Sequence, residues 1–352
     1  TLKFIILFLL VEIKISKSSL SCKNENNEDV DWFIAIKPPH VDSFSSLSSQ
    51  SNNTDWLLSS YKLTNGNNSI ALTIKQTYES KLKQRFYVYY NDEDTAGNEK
   101  YNMGHSKGVV TFDKSEGYWL VHSVPKFPFP NEYKYGSGQL KFGQSFICVS
   151  LKFQNLNSLV DQLLIMTTNV YSYFVPEGFS QNSSLMDKIN SLVNNSIKKS
   201  KDSNVFNFNT VKNFNLIHFG KSRLFNRDIY ADFMAPKLKI SMDVESWIRS
   251  SRIESSCQSK YKVYNVRSIS IDGKKYKSTQ DHCKWAVSTS IEYPFVCIGD
   301  VNRMYSQFKR GGGSLCVKND KIWSLFQKIV REIEPCPKLQ KDIREIFKDI
   351  IL

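Results

Sequence analysis

Four scarcities narrow the problem. Apolar runs are short: no stretch reaches the roughly twenty residues a membrane-spanning helix needs, which argues against a polytopic membrane protein and against stable membrane association. The seven cysteines contain no C-x-x-C pair and no Cys/His cluster, so neither structural zinc nor any other metal or cofactor is implied. Acidic residues are outnumbered, 34 against 47 Lys and Arg, which leaves a formal charge of +13 and a pI near 9.2. Histidine is rare, at five residues: His40, His105, His122, His218 and His282.

What is present excludes other classes. Hydrophobic residues at 41%, of which the aromatics are 13% of the chain, exclude a disordered or fibrous protein. The 352 residues suffice for one large domain or two modest ones. The positive surplus points to a polyanionic partner: nucleic acid, acidic lipid or glycan.

The N-terminus carries Lys3, an apolar run of about ten residues, and then Ser19-Leu20-Ser21 before Cys22. That pattern reads as a secretory signal peptide over residues 1–21, with the mature chain following as residues 22–352. N-x-S/T triplets at Asn52, Asn67, Asn182 and Asn194 lie in polar stretches suited to glycosylation on the same route. An odd cysteine count leaves at least one thiol unpaired, and six would form three disulfides in an oxidising compartment.

Along the chain, the alternation in Val30–Lys37 predicts a strand that Pro38 and Pro39 stop. Residues 40–69 read as loop, and HSKGVVTF and YWLVHSV read as strands around an Asp113–Gly117 turn. Phe146–Phe153 reads as a strand, while 158–171 and 185–198 carry helical spacing. The Asn-rich stretch 199–215 reads as a connection between an N-terminal half, about 22–200, and a C-terminal half, about 215–352. The second half repeats the scheme: Ser268–Ile271 into an Asp272-Gly273 hairpin, a strand near DHCKWAVST, and helices over 322–333 and 339–351. Strands alternating with helices predict an α/β layered fold.

His105-Ser106-Lys107 and His282-Cys283-Lys284 each open a strand-like run, one per half. In an extended segment an H-x-K puts imidazole and ammonium on one face and the middle residue on the other. The pair reads either as two unrelated surface triplets or as a duplicated unit whose halves meet at one pocket. Such a pocket suits phosphodiester chemistry. One neutral imidazole attacks phosphorus, the other imidazole donates to the leaving oxygen, and the lysines neutralise phosphoryl charge.

The segments VDWFIAIKPP, MGHSKGVV, GYWLVHSVPKFP, KFGQSFICVS, DHCKWAVS and FVCIGDVNRMYSQFKRGGGSLC, in this order, make the chain from Cys22 to Cys336 similar to deoxyribonuclease II. The resemblance implies two pseudo-symmetric phospholipase D-like halves, each a mixed sheet flanked by helices. It also implies metal-independent acid hydrolysis of double-stranded DNA to 3′-phosphate and 5′-hydroxyl ends through a phosphohistidine. His105 and His282 then resemble nucleophile and general acid, an order left open by their symmetry, and Lys107 and Lys284 bind phosphate. His122 matches a family position and either supports His105 or is a core histidine. The family pattern pairs Cys22 with Cys148, Cys257 with Cys336 and Cys297 with Cys316, and leaves Cys283 free where the family more usually has Ser. Arg310, ahead of Gly311-Gly312-Gly313, and Lys37 are candidate phosphate contacts, against a tight turn and a surface lysine. DNA is the expected partner, the chain a monomer or homodimer, and its address lysosomal or secreted. A catalytically silent DNA-binding or host-interacting protein on the same scaffold is the alternative.

Overall fold

The structure, a computed structural model, describes residues 20–52, 54–196, 201–249 and 252–337. The expected signal segment up to residue 19 and the expected helix 339–351 lie outside the described residues. Two large sheets dominate. The first has eight strands in the order Val170–Phe174, Phe86–Tyr90, Gly108–Phe112, Glu116–His122, Gln144–Lys152, Trp32–Lys37, Ser45–Ser48 and Leu57–Leu58, every neighbour antiparallel. The second runs Ser203–Asn209, Asn215–Lys221, Gly312–Lys318, Phe295–Gly299, Trp285–Ser288, Met242–Glu245, Val263–Ile271 and Lys274–Lys277, with Val330–Ile333 also on Val263–Ile271. Only Met242–Glu245 and Val263–Ile271 pair in parallel among the described strands.

Alternation along the strands sends side chains to two layers. Ile34, Ile36, Val110, Trp119 and Ile147 of the first sheet share one buried cluster with Val266, Trp285, Val287, Ile298 and Leu315 of the second. Helices Leu156–Ile165, Ser183–Val193 and Asp320–Ile329 complete that layer. Each such fully buried apolar side chain contributes about 1.5–3 kcal/mol of transfer free energy, which locks the halves together through apolar contact. The opposite faces are covered separately. Phe33, Tyr89, Leu120 and Phe146 pack beneath helix Ser69–Lys75, while Met242, Val244, Ala286 and Cys316 pack beneath Tyr230–Leu238.

Several sequence expectations need correction. Residues 40–69 hold short strands rather than loop alone, because Ser45–Ser48 pairs with Trp32–Lys37. The helix expected over 158–171 ends at Ile165, and Tyr171 sits in a strand paired with Phe86–Tyr90. The stretch read as a connection forms the edge strand Ser203–Asn209, which puts Phe206 and Phe208 on one face. The final helix stops at Ile329, where Val330–Ile333 turns into a strand. The Asp272-Gly273 hairpin is present with both residues at positive φ, 50° and 72°, the conformation such a two-residue turn requires.

The three disulfides are Cys22–Cys148, Cys257–Cys336 and Cys297–Cys316, and Cys283 is a buried free thiol. Cys297 and Cys316 face each other directly across neighbouring strands. The sequons Asn52, Asn67, Asn182 and Asn194 are all exposed, although Asn182 also caps helix Ser183–Val193 by accepting from the Leu185 N–H. No helix among the described residues is long and apolar enough to cross a membrane.

Candidate active site

Both H-x-K triplets lie in extended chain just before a strand, Gly108–Phe112 in the first sheet and Trp285–Ser288 in the second. His105, Lys107, His282 and Lys284 line one cleft of about 480 Å3 between the halves, together with Asp92, Trp247, Arg249 and Arg310. Ser106 and Cys283, the middle residues, are fully buried, as the alternation requires.

Each candidate catalytic histidine is held by the opposite half of the chain. The His105 backbone N–H donates to the Gly311 carbonyl at 2.8 Å, and its Nδ1 lies 2.6 Å from the Asp300 carbonyl. A carbonyl only accepts, so Nδ1 carries the proton and Nε2 keeps its lone pair for chemistry. The His282 N–H donates to the Gly143 carbonyl at 2.9 Å, and Phe142 stacks on its ring at 4.1 Å with planes 10° apart. Trp247 packs against the same imidazole at 4.3 Å. Among the described residues no group bonds the His282 Nε2.

Charge in the cleft is dense. Burial and the Lys107 cation push the His105 imidazole well below its ordinary range, with Asp92 opposing them. Burial, Lys284, Lys107, His105 and Arg249 lower His282 to about 2. Burial, then Lys107, lowers Lys284 to about 8. Its Nζ donates to the His282 carbonyl at 2.6 Å, tying ammonium to imidazole. Burial alone would raise the Asp92 carboxyl, but Lys107, His105 and Arg310 hold it well below the usual carboxylate range. Burial raises Asp300 to about 7, opposed by Lys107. The arrangement can attack, protonate and neutralise at one phosphorus.

The other candidates fall differently. His122 is buried against Phe127 and Phe146, accepts from the Val124 N–H through Nδ1, and does not line the cleft. Its backbone N–H donates to the Lys107 carbonyl at 3.1 Å, so it braces the strand entry rather than the His105 ring. Lys37 is corrected from phosphate contact to scaffold: it is fully buried and its Nζ donates to the carbonyls of Pro38, Val41 and Leu140. Arg310 lines the cleft but is already engaged, reaching Asp92 at 3.3 Å and the Met103 carbonyl at 3.2 Å. The glycines after it are not a tight turn. Gly312 begins a strand, and a Cβ on Gly311 would fall 1.9 Å from the Met166 carbonyl oxygen. His218 is a core histidine bonded to Gln162, and His40 is exposed.

Sequence reasoning passed over Asp92, Asp300, Phe142, Trp247 and Arg249. Asp300 sits inside the FVCIGDVNR segment, where a signal existed. Asp92 lies in an acidic run after strand Phe86–Tyr90, which looks like any solvated turn.

Two antiparallel-rich sheets that jointly frame a paired H-x-K cleft define a two-half, phospholipase D-like α/β hydrolase. The family model for deoxyribonuclease II matches residues 21–336, and the chain belongs to that family as a nuclease of the deoxyribonuclease II type. It is similar to cell-death-related nuclease 7 of Caenorhabditis elegans, 31% identical over 95% of this chain and 93% of that protein. Deoxyribonuclease-2-beta of Mus musculus is 32% identical over 92% of this chain and 95% of its own length. Plancitoxin-1 of Acanthaster planci is 33% identical over 95% and 97%.

Proposed function

We propose that the chain is a metal-independent acid endodeoxyribonuclease that hydrolyses double-stranded DNA to 3′-phosphate and 5′-hydroxyl ends through a phosphohistidine. The observation that carries this reading is the 2.6 Å contact of His105 Nδ1 with the Asp300 carbonyl, which leaves Nε2 as the nucleophilic lone pair. Nε2 attacks the scissile phosphorus, the P–O5′ bond breaks, and the departing oxygen takes a proton from His282. Neutral His282 then removes a proton from water, which attacks phosphorus. The P–N bond breaks, the 3′-phosphate leaves, and both histidines return to their starting forms. Lys107 and Lys284 take the phosphoryl charge that a metal ion takes in other hydrolases. His282 must enter protonated, which acid solution favours.

Three disulfides and four exposed sequons support passage through the secretory route to a lysosome or the cell exterior. The basic surplus supports a sequence-tolerant grip on phosphates. The test is plasmid cleavage near pH 5 in excess chelator by the disulfide-intact protein, beside His105→Ala and His282→Ala. The parent is expected to cut, and each variant to lose activity by about a thousandfold or more. No cleavage by the parent would leave the silent binding protein, and 5′-phosphate ends would contradict the phosphohistidine route.

A further inference from the structure

The cations of the cleft are not equally engaged. Lys107 is ion-paired with Asp92, Arg310 is bound to Asp92 and to backbone carbonyls, and Lys284 donates to the His282 carbonyl. Arg249 lines the same cleft and is exposed, and among the described residues no carboxylate lies within ion-pairing distance of it. Its guanidinium carbon sits 3.9 Å from the Trp247 ring centroid. Trp247 is itself fixed: its Nε1 donates to the Thr279 carbonyl at 3.1 Å, its N–H donates to the Asn302 side chain at 3.2 Å, and its ring packs on His282 and Phe142. An indole so anchored limits where the guanidinium can go while leaving its N–H donors free, which suits an Arg to an anion rather than to a loose surface role.

Position gives this cation a specific target. It stands on the wall that carries His282, close enough that its charge depresses that imidazole. If His282 protonates the leaving 5′-oxygen, the nucleotide bearing that oxygen lies along this wall. The phosphate on its 3′ side is then the next anion along the strand. The wall around His105 differs, since its cations Lys107 and Arg310 are paired with Asp92 and the carboxylates Glu93 and Glu99 line it as well.

We propose that Arg249, mounted on Trp247, is the binding subsite for the phosphate that follows the scissile one on the leaving-group side. The subsite deepens the nuclease reading and rests on it, because His282 as acid sets which side leaves. It also fits the cleft's charge layout: the strand is drawn in along Trp247 and Arg249, where the cation is unpaired among the described residues, and away from Glu93 and Glu99. Trp247 acts as a positioning residue for Arg249, and Arg249 as a substrate-binding residue.

The test uses two small substrates, the dinucleotide d(TpT) and its 3′-phosphorylated form d(TpTp), whose extra phosphate occupies the proposed subsite. The parent is expected to prefer d(TpTp) in kcat/KM by about tenfold, mainly through KM, as one charge-assisted contact provides. In Arg249→Gln that ratio is expected to fall below about twofold, with Arg249→Lys between the two and Trp247→Leu also reduced. Reading a ratio within each variant cancels losses from misfolding or from a disturbed His282. A parent that cuts plasmid but shows no preference, or an Arg249→Gln that keeps the parental ratio, overturns the subsite and leaves the nuclease reading intact. A parent inactive on plasmid overturns both.

Discussion

His282 must carry a proton to serve as acid, yet burial, the Lys284, Lys107 and Arg249 cations and the neighbouring His105 hold its pKa at about 2. A phosphate seated between Lys107 and Lys284 adds a negative charge that offsets part of that field and raises the imidazole. The pH profile therefore splits. The fall of kcat/KM with rising pH, which reports the free enzyme, is expected at lower pH than the fall of kcat, which reports the DNA complex. Coincident limbs in a profile from pH 3 to 8 would show that substrate does not recruit the proton. Asp300 sets a second pH effect, on stability. Burial lifts its carboxyl to about 7, so the folded chain binds this proton more tightly than the unfolded chain. Stability from this group is present below its unfolded pKa and declines as pH rises toward about 7. Asp243, raised to about 6 by burial, acts in the same sense. His122 and His218, each lowered to about 3 by burial, act oppositely and remove stability as pH drops below the ordinary histidine range. Asp300→Asn is expected to shrink the loss of Tm between pH 5 and pH 8, and an unchanged loss would contradict the assignment. Asp92 has a different weight, because its carboxylate holds Lys107 and competes with incoming phosphate for it. Asp92→Asn is expected to lower kcat while tightening inhibition by inorganic phosphate, and a weaker phosphate inhibition would count against that competition.

At the scale of elements, the strand entries that carry the H-x-K triplets depend on close backbone approach. Gly104 and Gly311 both press on the Met166 carbonyl, where an added Cβ would fall 2.2 Å and 1.9 Å away. Neither contact involves a flexible side chain that could swing aside. Gly311→Ala must therefore move the chain segment whose carbonyl holds His105. The expected result is about 1–3 kcal/mol of lost stability and a drop in kcat larger than the change in KM. A variant with parental kcat would show that this hydrogen bond does not position the nucleophile. What the sequence revealed at this scale follows from local pattern. Strand Trp32–Lys37, the hairpin at Asp272-Gly273 and the strands around Asp113 announce themselves by alternation and turn residues. Ser203–Asn209 does not, because its Asn content reads as loop until pairing with Asn215–Lys221 supplies the hydrogen bonds. Val330–Ile333 continues a helical apolar spacing and becomes a strand only because Val263–Ile271 offers an edge.

At the scale of the molecule, the candidate active site exists only where the halves meet. His105 is held by Gly311 and Asp300 of the second half, and His282 by Gly143 and Phe142 of the first. The four H-x-K residues were legible because they recur in matching local settings. Phe142 and Trp247 were not, since their roles arise from contacts across the interface that no local pattern encodes, whereas Asp300 lay within a telling segment that did not by itself reveal its contact with His105. The reciprocity also distinguishes the two histidines that sequence symmetry left equivalent: one is fixed through Nδ1 and presents Nε2, the other is clamped between aromatic rings. The central claim is that His105 takes the phosphoryl group before water does, and the configuration at phosphorus tests it most directly. Hydrolysis of a single phosphorothioate diastereomer of a dinucleotide in isotopically labelled water gives a chiral 3′-thiophosphate. Two in-line displacements, one by His105 and one by water, should return it with retained configuration, whereas inversion would mean that water attacks the diester directly and that His105 is not the nucleophile.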